Sequence, residues 1–144
     1  MIRFSDTIDI ERPPEVVFDY VSDLAHTPEW NWAIAKTVKT SPGPIAEGST
    51  YRQERSVPRR ATENLEISRL EAPHRLEIEG ILARQPARLN YEFEPYEGGT
   101  RLTNQVELKP KGAVRLFAPA LVGRVKAAVA ENLTTLKRHL EASG

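Results

Sequence analysis

Residues 114–142, VRLFAPALVGRVKAAVAENLTTLKRHLEA, decide how this chain folds. Val114, Phe117, Leu121, Val125, Ala128, Val129, Leu133, Leu136 and Leu140 recur at steps of three or four. That spacing puts one apolar stripe along an α-helix. Pro119 interrupts the pattern, so the reading is a short first piece, a break, and a main helix from about 119 to 141. Lys137, Arg138 and His139 complement the dipole at its C-terminal end.

Upstream, the period changes from helical to strand-like. Ile2, Phe4, Ile8 and Ile10 alternate with polar residues, and Asp6 falls on their apolar face. Pro13-Pro14 stops this strand, and a proline at the first helical position costs no hydrogen bond. Val17, Phe18, Val21 and Leu24 then read as a short amphipathic helix over 14–23, with Glu15 in its first turn. His26-Thr27-Pro28-Glu29-Trp30 reads as a second short helical turn, followed by a loop with Trp32. Strands are expected over 33–40, 50–57, 62–70, 75–82, 87–94 and 101–108. Ser41-Pro42-Gly43-Pro44, Glu47-Gly48, Ala72-Pro73-His74, Gln85-Pro86 and Glu97-Gly98-Gly99-Thr100 separate them as breakers and turns. Such short connections imply an antiparallel meander, because parallel pairing needs long crossovers.

The order is therefore one strand, two short helices, six strands and a long helix. Only the final helix is long and apolar enough to cover the strands' apolar faces. The expected fold is α+β: a curved seven-stranded antiparallel sheet wrapped around the C-terminal helix, with space left between them. A length of 144 residues suits one domain over 1–144, able to bury roughly 70% of its unfolded surface.

Composition narrows the function. The formal net charge is zero, which argues against a general nucleic-acid binder, and Arg59-Arg60 is too short a basic patch to suggest one. Charge is uneven along the chain: acidic residues dominate the first thirty positions and basic ones the last thirty, as two solvated faces of opposite sign would. The absence of cysteine excludes disulfides, thiolate catalysis and cysteine-based metal sites. No apolar run reaches the roughly 18 residues of a membrane span, so no stable membrane insertion is expected. The opening MIRFSDTIDIERPP lacks the apolar core of a signal peptide, and a cytoplasmic, soluble protein is expected. The sequence leaves the oligomeric state open.

The stretch IDIERPPEVVFDYVSD at 8–23, PEW at 28–30 and NLTTLKRHLEA at 132–142 resemble the polyketide cyclase/dehydrase and lipid-transport family. That family belongs to the START-like (SRPBCC, helix-grip) superfamily, which includes the plant pathogenesis-related allergens. The resemblance follows the whole chain in element order and implies the helix-grip arrangement β-α-α-β6-α. It also implies activities from lipid and hormone carriage to aromatic polyketide cyclisation and chaperone activation. The glycine-rich loop of the plant allergens is not evident, because the comparable turns read EAPHRLE at 71–77 and EGGT at 97–100. That argues against those proteins' specific ligands.

Strand parity selects candidate ligand contacts. Asp6 shares a face with Phe4 and Ile8, Gln53 and Arg55 with Tyr51 and Val57, Glu63 with Leu65 and Ile67, and Asn104 with Leu102 and Val106. An unpaired buried polar group costs roughly 1–3 kcal/mol, so such groups either bind one another or meet a ligand. Arg55 carries a planar fork suited to a carboxylate or polarised ketone; alternatively it pairs with Glu63 or Asp6. Ile78, Tyr91, Phe93, Phe117 and Leu121 complete the expected wall, where each serves equally well as plain core. Trp32 could line or gate the space, whereas Trp30 reads as a packing plug.

No HExxH, GxSxG, phosphate-loop or GxGxxG motif occurs. His26, His74 and His139 are widely separated in sequence and read as surface residues. No catalytic residue, metal or cofactor is therefore assigned. The first reading is a non-enzymatic binding or carrier domain for a lipid, polyketide or isoprenoid-like molecule. One rival is a cyclase/aromatase-type enzyme using Arg55, Asp6, Glu63 and Tyr91. The other is a protein-interaction module that uses the exposed sheet face and has a filled cavity.

Overall fold

A computed structural model describes residues 1–144, apart from the side chains of Ala113, Val114, Phe117 and Ala118. Strand β1 spans Ile2–Ile10, helix α1 Pro14–Ser22, and a 3-10 helix Leu24–Glu29. A meander follows: β2 Ile34–Lys39, β3 Thr50–Arg55, β4 Ala61–Glu71, β5 Arg75–Leu82, β6 Gln85–Tyr96 and β7 Gly99–Leu108. A second 3-10 helix, Gly112–Phe117, leads into α2, Ala118–Ala142. All seven strands form one antiparallel sheet in the order β1-β7-β6-β5-β4-β3-β2.

The register explains why parity groups the right residues. Phe4, Val106, Leu89, Ile78 and Ile67 form one row across five strands, and Asp6, Asn104, Tyr91 and Leu76 form the next. Register shifts in β2 between Ile34 and Lys36, and in β4 between Ile67 and Arg69, bend the sheet.

The two ends of the sheet differ. At one end α1 packs over β6 and β7, burying Val17, Phe18 and Val21. The Phe18 ring meets Phe93 edge-on at 5.1 Å. The C-terminus of α2 is latched at this end. Arg12 Nη1 donates to the Leu140 carbonyl at 2.8 Å, and the Glu11 amide donates to Glu141 Oε2 at 2.9 Å. Lys137 Nζ donates to the Asp9 carbonyl and pairs with Glu141 at 2.7 Å. The opposite, distal end gathers the starts of β1, β2, β4, β6 and α2.

Two expectations about turns and breaks meet different outcomes. The chain does not turn at Gln85-Pro86. It turns at Ala83-Arg84, whose φ angles are 48° and 70°, and Gln85 and Pro86 open β6 opposite Leu82 and Ile81. Positive φ at both central residues matches the twist of a two-residue hairpin, and proline is tolerated at a strand start. Neither alanine nor arginine advertises positive φ, so the sequence signal fell on the nearby proline. At Pro119 the expected break is present: it lies in the first turn of α2, just after the 3-10 helix ends.

Candidate functional site

The strands turn a mixed surface toward α2. Its most polar part sits near the distal end of β3 and β4, where Glu63 is buried among donors. Arg55 Nε lies 3.0 and 2.9 Å from the two Glu63 carboxylate oxygens. Gln53 Nε2 donates to Oε1 at 2.8 Å, and the Ala83 amide donates to Oε2 at 2.7 Å. The side chains of Arg55 and Glu63 are 13% and 4% exposed, so the pair is largely withdrawn from water. Glu63 thus ties β3 to the tip of the β5–β6 hairpin. Arg55 pairs with Glu63 and not with Asp6, whose carboxylate accepts from the Thr7 amide at 2.9 Å.

Other inward polar groups have no partner among the described residues. Buried Thr37 Oγ1, the Tyr51 hydroxyl, Asn104 Oδ1, Asn132 Oδ1 and Trp30 Nε1 all lack a hydrogen bond. They come from β2, β3, β7, α2 and the residue closing the first 3-10 helix. Buried polar atoms are nearly always satisfied in native proteins, so five orphans around one apolar interior are unusual. Burial pushes the Tyr91 phenol well above its ordinary pKa. Burial does the same to Tyr51, helped by the Asp23 carboxylate and partly opposed by the Leu24 amide, which lies nearby but outside hydrogen-bond geometry. Both phenols stay protonated and can donate to an oxygen acceptor.

The apolar part of the surface is unevenly covered. Leu133, Leu136 and Leu140 of α2 are 1%, 0% and 4% exposed. Leu121, Val125 and Val129, earlier on the same stripe, are only half-buried. Ile2, Phe4, Leu82 and Leu89 on the strands are likewise half-buried, and they pack with Val125 and Val129 around Ala87, Val106 and Leu108. Elsewhere a groove of about 800 Å³ crosses β3–β5, lined in part by Tyr51, Glu63, Leu65 and Gly80. A Cβ on Gly80 would lie 2.6 Å from the Asn64 carbonyl oxygen.

The residues singled out by sequence separate into groups. Gln53, Arg55 and Glu63 come together in one network. Tyr51, Leu65, Ile67, Ile78, Tyr91 and Phe93 belong to the main core, with Asn104 beside Tyr91 in register. Val106 joins the looser distal cluster, and Leu121 lies half-buried on α2. Trp32 is 54% exposed at the distal rim, and Trp30 is 6% exposed in the core. The Phe117 side chain lies outside the described residues. Sequence reasoning missed Thr37 and Asn132, which parity and helical spacing could have found. It also missed a cluster linking α1, the 3-10 helix and α2. There Tyr20 donates to Glu29 at 2.7 Å, His139 lies 3.3 Å from Glu29, and both His26 and His139 stack edge-on against Tyr20.

A curved antiparallel sheet gripping a long C-terminal helix, with a mixed apolar and polar inner wall, defines the helix-grip class of α+β domains. The chain belongs to the polyketide cyclase / dehydrase and lipid transport family, whose model matches residues 1–141. Solved structures share the fold at low identity. A START superfamily protein from Mycobacterium smegmatis superposes with a TM-score of 0.79 at 14% identity, covering 96% of this chain and 98% of that one. The di-domain ARO/CYC StfQ from the steffimycin biosynthetic pathway gives 0.78 at 17%, covering 99% of this chain and 51% of that one. Ara h 8.0201 gives 0.72 at 13%, covering 98% of each chain. No curated protein sequence matches the chain.

Proposed function

We propose that this protein binds an amphipathic small molecule, of lipid, polyketide or isoprenoid type, between the distal half of the sheet and the N-terminal half of α2. One observation carries the reading. Apolar side chains on both walls, Val125 and Val129 on the helix and Ile2, Phe4 and Leu89 on the strands, stay half-buried although they face one core. An apolar ligand lying along them completes their burial, at roughly 25 cal/mol per Å² removed from water. The orphaned Asn104 Oδ1, on β7 two residues from Val106, can accept a hydrogen bond from a ligand hydroxyl. Family membership and the fold likeness to ARO/CYC and START proteins support the same ligand class.

Binding is favoured over cyclisation chemistry by the state of the candidate acid–base groups. Glu63 is engaged by Arg55, Gln53 and the Ala83 amide, so it has little capacity left to accept a substrate proton. The Tyr91 phenol, held protonated by burial, has no charged neighbour lowering its pKa. The test is native mass spectrometry after gentle purification, followed by fluorescence titration with long-chain fatty acids and aromatic polyketides. One bound apolar molecule per chain is expected, with affinity reduced by Val125→Trp. No bound molecule and no saturable titration would sink the proposal. Turnover of a polyketide that is lost in Tyr91→Phe would replace it with the enzymatic reading.

A further inference from the structure

The distal end carries a feature the ligand site does not use. Three segments separated in sequence converge there: 56–60 between β3 and β4, 83–86 at the β5–β6 tip, and 109–126 from the end of β7 into α2. Together they hold eight Lys or Arg residues and no Asp or Glu, in a chain whose net charge is zero. Arg59, Arg60, Arg84, Lys109, Lys111 and Arg115 are all exposed. Large apolar side chains stand exposed on the same rim, each on its own segment: Trp32 at 54%, Val57 at 36%, Ile81 at 59% and Leu116 at 80%. The α1 end is acidic on balance, with Glu11, Glu15, Asp19, Asp23, Glu94, Glu97 and Glu141 near its turns against Arg12, Arg101, Lys137 and Arg138. Tyr96, an exposed aromatic at that end, is covered by the Arg101 guanidinium at 3.7 Å.

We infer that the distal rim docks on the surface of a bilayer containing anionic phospholipid, with the cations against the headgroups and Trp32, Ile81 and Leu116 entering the interface. Scattered single apolar residues are ordinary on a protein surface. What selects a membrane is their spacing around a ring of unopposed positive charge. A protein partner offers a contiguous patch to a contiguous patch, whereas a bilayer accepts separate apolar tips between basic residues. Each Lys or Arg near an anionic leaflet contributes about 1 kcal/mol, and tryptophan favours the headgroup boundary. The acidic α1 end orients the molecule by repulsion. This inference does not require an occupied ligand site, so either can fail without the other.

The test is sedimentation of the full chain with vesicles of phosphatidylcholine alone or mixed with phosphatidylglycerol. Protein is expected to sediment only with the mixed vesicles, and less so as salt rises. Because Trp30 is buried and Trp32 exposed, a blue shift of tryptophan emission on binding reports Trp32, and Trp32→Phe removes it. The combined Arg59→Glu, Arg60→Glu and Lys111→Glu variant, checked for unchanged circular dichroism, is expected to bind roughly a hundredfold more weakly, at about fivefold per cation lost. Equal binding to both vesicle types, no vesicle binding, or unchanged binding by the triple variant would each overturn the inference. Capture by an acidic protein or a DNA duplex in place of vesicles would overturn it too.

Discussion

The two halves of α2 face the same sheet with the same apolar period, yet they are treated differently. The C-terminal half buries Leu133, Leu136 and Leu140 almost completely and is bolted to the end of β1 by Arg12, Lys137 and Glu141. The N-terminal half leaves Leu121, Val125 and Val129 only half-covered, and Val125 and Val129 pack with strand residues in the same condition. The fully covered part of the helix lies where α1, the C-terminal half of α2 and the sheet meet. The distal half is left incomplete, and a ligand is what the proposed function puts there.

The comparison breaks if stability is evenly spread. Leu136→Ala is expected to cost about 2–5 kcal/mol, because it opens a cavity in a fully buried site. Val125→Ala, half-buried on the same stripe, is expected to cost under about 1 kcal/mol. Urea unfolding of the two variants measures both values, and equal losses would show that the distal half is core as well.

Next in size is Glu63. Replacing it with alanine strands Arg55, Gln53 and the Ala83 amide in a poorly hydrated site, at an expected cost of about 3 kcal/mol. The double variant Arg55→Met with Glu63→Leu is expected to recover most of that loss, since it removes both charges together. A double variant as unstable as Glu63→Ala would mean that the hairpin tip depends on the Ala83 contact alone.

Enlargement sharpens the contrast from the other side. Leu133→Trp overfills a closed core and is expected to cost about 1–3 kcal/mol. Val125→Phe adds volume where both walls are half-covered, and stability is expected to change by less than about 0.5 kcal/mol. Binding of an apolar fluorescent probe should fall in Val125→Phe and persist in Leu133→Trp.

Much of this was legible in the sequence. The alternation of Phe4, Ile67, Ile78, Leu89 and Val106 and the helical step from Leu121 to Leu140 dictate element type and facing, because burial imposes those periods directly. Parity likewise placed Gln53, Arg55 and Glu63 on one face. It could not show that Glu63 also captures the Ala83 amide, because that depends on a hairpin turn built without glycine or asparagine. Nor could it show the half-coverage of Val125, since an apolar stripe reads the same whether its partner is side chain or ligand. The basic rim was invisible for a topological reason: Arg59, Arg84 and Lys111 come together only once the strands are paired.

The smallest expected effect tests the latch that holds the C-terminal half of α2. Asp9 has a lowered pKa, chiefly from its hydrogen bond with Arg101, and Glu141 is lowered by Lys137 and then by the Glu11 amide. A carboxyl whose folded pKa lies below its unfolded value stabilises the fold above the unfolded value, about 3.9 for Asp and 4.3 for Glu. That contribution disappears as pH falls through the lowered folded value. Melting temperature should therefore be flat on this account from neutral pH to about pH 5 and decline below about pH 4. In Lys137→Met the Glu141 part of that decline should be missing, and NMR titration should find the Glu141 carboxyl moved back up toward its ordinary value. The latch residues Asp9, Lys137 and Glu141 lie at the α1 end, away from Val125, so probe binding should keep its pH profile in Lys137→Met. A profile that shifts together with the latch would mean that the two halves of the helix are coupled.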